Sequence, residues 1–325
     1  MHIAGKNIEP GPYIIAEIGV NHDGSLARAL TLTDLAADAG ADAIKLQYFR
    51  AELLLSAASR LAAYQEAAGE HDPCAMLTRL QLDLDALNAV IQQAHRRNLH
   101  AIVTVFSLEL VDEARALSWD AFKTASPDIV HRPLLDAIAR DGRPMIVSTG
   151  ASAMDEVQRA VEWLRPAHDR LALLQCVSSY PAPHACLEGI GALAHMTGLP
   201  TGYSDHTDRV DTGARAVAAG ACVLERHITD DRRRTGPDHA ASLEPNDFAE
   251  YVRLARSASR PSQPPRQPPE TKRVLPCEQD VRNVSRQSIV TRRRLNAGEQ
   301  LRRDDLTFKR PGTGLPPFRI NEIIG

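Results

Sequence analysis

The sequence predicts an α/β fold, a (β/α)8 TIM barrel followed by a small C-terminal module, on three observations. Short apolar runs recur along the chain with amphipathic stretches between them. The runs are continuous rather than alternating, the pattern of parallel strands buried on both faces. Eight such alternations fill about 255 residues, the usual extent of this barrel. The structural alternative is an open doubly wound sheet, and nothing here resembles its G-x-G-x-x-G turn.

Taken in order, the strands are expected at 13–18, 42–47, 100–105, 121–124, 144–148, 171–176, 201–204 and 222–227. Helical periodicity fills the gaps, as in LARALTLTDLAADAGA and LDALNAVIQQAHRRN, and Gly40 is a stop signal for the first of these. The last barrel helix is expected at 245–259, which sets a barrel domain of residues 1–259. RPSQPPRQPPE at 260–270 cannot continue a helix and reads as a semi-rigid linker. Residues 271–325 hold a strand, a Gly-marked turn and another strand, a module too small to be stable without docking.

Composition excludes several classes. Hydrophobic residues make up 43% and charged residues 24%, which fits a globular enzyme and not a disordered chain. The net charge of −3 offers no global field for nucleic acid or an anionic membrane, so an anionic substrate must be held by local cations. The first residues lack a basic segment followed by an apolar one, and no run has the length of a spanning helix, so no signal peptide and no membrane are expected. The five cysteines are scattered without C-x-x-C spacing, and Cys176 and Cys222 fall inside apolar runs. A reducing, cytoplasmic setting is expected.

In such barrels the chemistry sits at the C-terminal strand ends. Glu17 ends the first strand, and the bland reading is a carboxylate paired with a lysine. Lys45 and Gln47 share one face of the second strand, and Lys123 points inward from the fourth with Ser126 just beyond. Two inward lysines exceed what one carboxylate needs, so an anion site is expected, with phosphate plus carboxylate as cargo. Thr104, Ser107, Ser148 and Ser204 add donors at other strand ends. His206 and His227 end adjacent strands, with Asp205 beside one and Asp238 in the next loop, and suit a divalent metal. His2, His71, His95 and His168, the run Arg232, Arg233 and Arg234, and Arg292 to Arg294 read as surface.

The segments AEIGVNHDG, AIKLQ, GYSDH, LERHITDD, GPDHAASLEP and KRPGTG, in this order, resemble the sialic acid synthases, the N-acetylneuraminate, legionaminate and pseudaminate synthases with their spore-coat relatives. The resemblance runs through nearly the whole chain. It implies a transferase that condenses phosphoenolpyruvate with an N-acyl hexosamine such as N-acetylmannosamine. It implies a metal-dependent barrel and an antifreeze-like (SAF) domain at 271–325. The implied metal ligands are His206 and His227, with Mn2+ first and Mg2+ or Co2+ as alternatives. The implied phosphoenolpyruvate contacts are Lys45, Thr104, Lys123, Ser126, Ser148 and Ser204. The implied sugar contacts are Glu17, Gln47, Tyr180, Asp238 and Arg310, with Arg310 reaching across a homodimer to the partner barrel. The alternatives are a 3-deoxy-ulosonate synthase using another aldose or an aldose phosphate, and a barrel that binds sugars without turnover.

The sequence departs from that pattern in four places. Ser178 stands where an asparagine is usual, which leaves the acceptor open. Ser126-Pro127-Asp128 replaces S-G-E and shortens the carboxylate. The segment 51–73 has no match and is expected near the sugar. Against that pattern the C-terminal module is expected to be shortened, without the region of its last strand.

Overall fold

The computed structural model describes residues 1–261 and 272–324. Most of the expected linker at 260–270 therefore lies outside the described residues. Among the described residues no helix is long and apolar enough to cross a membrane.

Eight parallel strands close into a barrel in chain order. They are β1 (Tyr13–Glu17), β2 (Ala43–Tyr48), β3 (His100–Val105), β4 (Ala121–Thr124), β5 (Met145–Ser148), β6 (Leu171–Cys176), β7 (Thr201–Asp205) and β8 (Val223–His227). Each agrees with its expected run to within a residue at either end. Helices α1 (Leu26–Asp38), α2 (Leu84–Arg96), α3 (Val111–Arg115), α4 (Arg132–Ala139), α5 (Met154–Trp163), α6 (Glu188–Thr197), α7 (Thr212–Ala218) and α8 (Pro245–Ser257) follow the strands. The last ends two residues earlier than expected.

Local chemistry sets the helix ends. Asp83 caps α2 by accepting the Ala86 N–H at 2.8 Å. Gly40, at φ +85°, follows the end of α1 in a conformation open to glycine, as its stop signal predicted.

The period of two along each strand divides the barrel. Outward residues such as Ile14, Ile44, Val103 and Leu173 pack against the helices. Inward residues are apolar at the lower end: Tyr13, Ile15, Ala43, Ile102, Ile146 and Val223. An N-terminal hairpin, His2–Ile3 with Lys6–Asn7, adds the fully buried Ile3 and Ile8 to this layer and closes that end. One step further along each strand the inward residues turn polar.

The C-terminal part begins with α9 (Gln279–Ser285), then β9 (Ser288–Thr291) pairs antiparallel with β10 (Leu306–Lys309). Gly298, at φ +87°, marks the connection. The module's own core is little more than Leu306, Phe308 and Ile320. Docking supplies the rest, with Phe308 edge-on to His131 at 4.5 Å and Phe318 against Trp163 at 5.6 Å. The expectation that so small a unit needs the barrel agrees with this packing.

Candidate active site

Strand register builds the site. Glu17 lies opposite Lys45, Gln47 opposite Thr104, Thr104 opposite Lys123, Cys176 opposite Ser204, Ser204 opposite Glu225, and His227 opposite Glu17. One polar ring therefore sits on top of the apolar layers. It opens into a cavity of about 970 Å³, mouth included, at the C-terminal ends of the strands. Of the candidate residues from the sequence, Glu17, Lys45, Gln47, Thr104, Lys123, Ser126, Ser148, Ser178, Tyr180, Ser204, His206, His227, Asp238 and Arg310 line it, whereas Ser107, offered as a further donor, is buried outside it.

The floor is a charge network. Lys45 forms an ion pair with Glu17 and donates to Thr104 Oγ1 at 3.0 Å. Lys123 donates to Ser148 Oγ at 2.6 Å and lies 3.4 Å from Glu225 Oε1. Glu225 also stands 3.8 Å from Lys45 and accepts the Ser204 hydroxyl at 2.9 Å. The argument that two lysines outnumber one carboxylate is thus corrected: Glu225 is a second carboxylate. Counting back two residues from His227 places it inward, and that signal was in the sequence. Burial raises the Glu17 pKa to about 7 against the pull of Lys45, and burial lowers that of Lys123. Burial also acts on Glu225, but Lys123 and Lys45 outweigh it and hold its pKa down.

The two imidazoles stand above this floor, with ring centroids 5.7 Å apart. His206 Nδ1 bonds the Val177 carbonyl at 2.9 Å, which leaves Nε2 free. His227 Nδ1 is buried without a hydrogen-bond partner, 3.7 Å from Asp238 Oδ2. Asp205, read as a companion of His206, turns away from the cavity and pairs with the fully buried Arg226 at 3.1 Å.

Aromatic rings continue upward, with Tyr180 over His206 at 4.2 Å and Tyr64 over Tyr180 at 4.7 Å. Tyr64 and Gln65 come from the unmatched segment and line the cavity, as its expected position required. That segment also grips the module. Arg310 donates its N–H to Leu54 O at 2.9 Å, and its carbonyl accepts from Ser56 Oγ at 2.6 Å and Ser59 Oγ at 2.9 Å. The Arg310 guanidinium is buried over the Phe106 ring, and its Nε has no partner. In this single chain it enters the mouth of its own barrel. Asp128 does not line the cavity; it is buried and burial lifts its pKa to about 7, with Arg310 the largest opposing influence. Tyr64, Gln65, Cys176 and Glu225 are among the lining residues that sequence reasoning missed.

The other groups lie elsewhere. His2, His71 and His95 are exposed, and Arg233 and Arg234 pair with Asp231 and Asp230 at the surface. Among the described residues no group of three or more His, Cys, Asp or Glu is set to hold a metal.

Residues 32–263 match the NeuB family and residues 286–325 match the SAF domain. The chain is 35% identical over 319 residues to the N,N'-diacetyllegionaminic acid synthase of Campylobacter jejuni, covering 96% of this chain and 94% of that one. It is 32% identical over 323 residues to the human N-acetylneuraminate-9-phosphate synthase, covering 96% and 87%. Its structure is similar to that of the Bacillus subtilis spore coat polysaccharide biosynthesis protein SpsE, with a TM-score of 0.84, 29% identity, and coverage of 99% and 92%.

Proposed function

This chain belongs to the NeuB family, and we propose that it is a nonulosonic acid synthase that condenses phosphoenolpyruvate with an N-acyl hexosamine and releases phosphate by C–O cleavage. The observation that carries this is the convergence of Lys45 and Lys123, with four hydroxyls, on a floor directly beneath two imidazoles. A trianionic enol phosphate needs such cations, and a sugar aldehyde needs an electrophilic group above it.

In this reading residues 1–259 form the catalytic barrel and 271–325 the SAF domain. Lys45 and Lys123 hold the phosphate and carboxylate of phosphoenolpyruvate, and Thr104, Ser126, Ser148 and Ser204 orient them. Gln47, Tyr180, Asp238 and Arg310 receive the sugar, beside Glu17. His206 and His227 fit a divalent metal, Mn2+ first, with Mg2+ or Co2+ as alternatives, because His206 keeps Nε2 free and His227 Nδ1 is orphaned. When bound, such an ion supplies Lewis acidity to the acceptor aldehyde.

The enol carbon of phosphoenolpyruvate forms the new C–C bond to the aldehyde carbon. The aldehyde oxygen takes a proton and becomes a hydroxyl. Positive charge at C2 is met by water, and phosphate departs with the bridging oxygen, leaving the α-keto acid. Glu17, beside Lys45 and raised by burial, is placed to hold the proton exchanged or to stabilise the cation.

A homodimer, with Arg310 supplied by the partner's module, is part of the proposal. In this chain the contacts that seat the module are made with its own barrel, and residues 262–271 lie outside the described residues.

The test is phosphate release from phosphoenolpyruvate across an acceptor panel: N-acetylmannosamine, a diacetamido-hexose and a hexosamine 6-phosphate. Ser178, shorter than asparagine and without an amide, changes the hydrogen bonding near the reactants, and the diacetamido acceptor is expected to give the highest kcat/KM. Label in the bridging oxygen should appear in the released phosphate. No release with any acceptor, or label retained in the keto acid, overturns the proposal.

A further inference from the structure

Ala151 lies just beyond β5, in the run Ser148-Thr149-Gly150-Ala151-Ser152. It is buried, and its φ of +49° falls in the left-handed region, where an L side chain costs energy. The C-terminal segment holds both of its main-chain polar groups. Glu278 Oε1 accepts the Ala151 N–H at 2.6 Å. Arg282 and Arg286 donate to the Ala151 carbonyl at 2.6 Å and 3.2 Å. The same Glu278 oxygen accepts the Ser178 N–H at 2.8 Å, from the loop after β6. Glu278 is 1% exposed, and its other oxygen accepts the Leu275 N–H at 2.9 Å. Arg282 and Arg286 are anchored in turn on Glu156 of α5, at 2.7 Å each.

The clamped loop forms one wall of the site. Gly150 donates its N–H to Ser126 Oγ at 3.0 Å. It packs so closely that a Cβ there would meet Ser178 Oγ, with Ser126 Oγ at 2.8 Å and Cys176 Sγ at 3.1 Å. Two residues before Gly150, Ser148 accepts from the Lys123 ammonium. The spacing of Ser126, Ser148 and Ser178 therefore depends on a backbone conformation that Ala151 does not prefer. Such conformations persist where the surroundings over-determine them.

We propose that Glu278 is a positioning residue: with Arg282 and Arg286 it holds Ala151 left-handed, and so shapes the hydroxyl wall that receives the anionic substrate. It acts through the backbone and touches no reactant. The docked C-terminal segment thereby completes the anion end of the site, in addition to bringing Arg310 to the sugar end. This rests on the reading of the cavity floor as the phosphoenolpyruvate site.

The experiment uses the full chain with Glu278→Ala and Glu278→Gln, each alone and combined with Ala151→Gly. Amide hydrogen exchange at Ala151 and Ser178 is read beside KM for both substrates. Glu278→Ala should speed exchange at both amides and raise KM for phosphoenolpyruvate about ten-fold, the scale of one hydrogen bond to a charged group. KM for the acceptor should move much less. Glu278→Gln, which keeps an acceptor oxygen, should show the same pattern at smaller size. Ala151→Gly makes positive φ easy and should restore part of the lost phosphoenolpyruvate affinity in either background. Equal rises in the two KM values, unchanged exchange, or no gain from the glycine overturns the proposal. If Glu278→Ala does not fold, the glutamine variant and its glycine double carry the comparison. Exchange needs no turnover, so a wild-type chain that releases no phosphate counts against the substrate reading alone, and the exchange pattern then decides the positioning role.

Discussion

Lys123 of β4 and Glu225 of β8 meet across the barrel, Nζ 3.4 Å from Oε1, although their strands are not neighbours. Both are almost wholly buried. The contact ties opposite walls together at the level of the cavity floor, and it presents the lysine to whatever anion lies above it.

Removing one member of a buried pair leaves the other uncompensated, so Glu225→Gln should cost about 3 kcal/mol in unfolding free energy. Phosphoenolpyruvate supplies new negative charge to Lys123, so saturating ligand should raise Tm more in the variant than in wild type. Thermal melts with and without ligand read both effects. A variant with unchanged Tm would show that Glu225 does not neutralise the lysine.

Arg310 is expected to work on the sugar. Arg310→Ala should raise the acceptor KM well beyond that for phosphoenolpyruvate. Mixing Arg310→Ala chains with Lys45→Ala chains distinguishes the two seats of the module. A module seated on the partner barrel gives one intact site per heterodimer and recovered activity; verified heterodimers without activity refute the arrangement in trans.

Metal dependence follows from the free Nε2 of His206 and the orphaned Nδ1 of His227. Dialysis against a chelator should abolish phosphate release, and Mn2+ should restore it. Full activity in the His206→Ala, His227→Ala double variant sinks the metal site.

Glu156 sets an acid limit. Burial pushes its carboxyl up, but Arg286 and Arg282 prevail and bring the pKa from 4.5 to about 2. A depressed folded pKa means stability that is fully present above the unfolded value and is lost as pH falls through the folded one. The contribution, up to about 3 kcal/mol, should therefore decline between about pH 5 and pH 2. Urea unfolding of wild type and Glu156→Gln, followed across that range, should converge at the acid end. A gap of constant size would mean that the charge of Glu156 contributes nothing.

Much of this architecture is legible in the chain because barrel strands are buried on both faces. Runs such as residues 171–174 are then apolar without interruption, and an isolated Lys45 or Lys123 inside such a run stands out. Glu225 escaped because it sits next to Arg226 in a run already assigned to His227, and its role needs a partner on the far wall. Tyr64 lies in a segment without periodicity, where nothing local says which side chain turns inward. Glu278 is harder still: its carboxylate matters through the main-chain groups of Ala151 and Ser178, at least a hundred residues away. Contacts of that kind leave no local pattern.

The hairpin carrying Ile3 and Ile8 leaves the cavity with its mouth at the opposite end, where the module and Tyr64 stand. A ligand on the lysines lies beneath any sugar near Arg310, so occupancy has a sequence in time. Under the proposed reading the lower ligand must arrive first, and an acceptor already seated would bar its path. Under the proposed reading the kinetics are those of a compulsory order, with phosphoenolpyruvate leading, and excess acceptor slows turnover by trapping the empty floor.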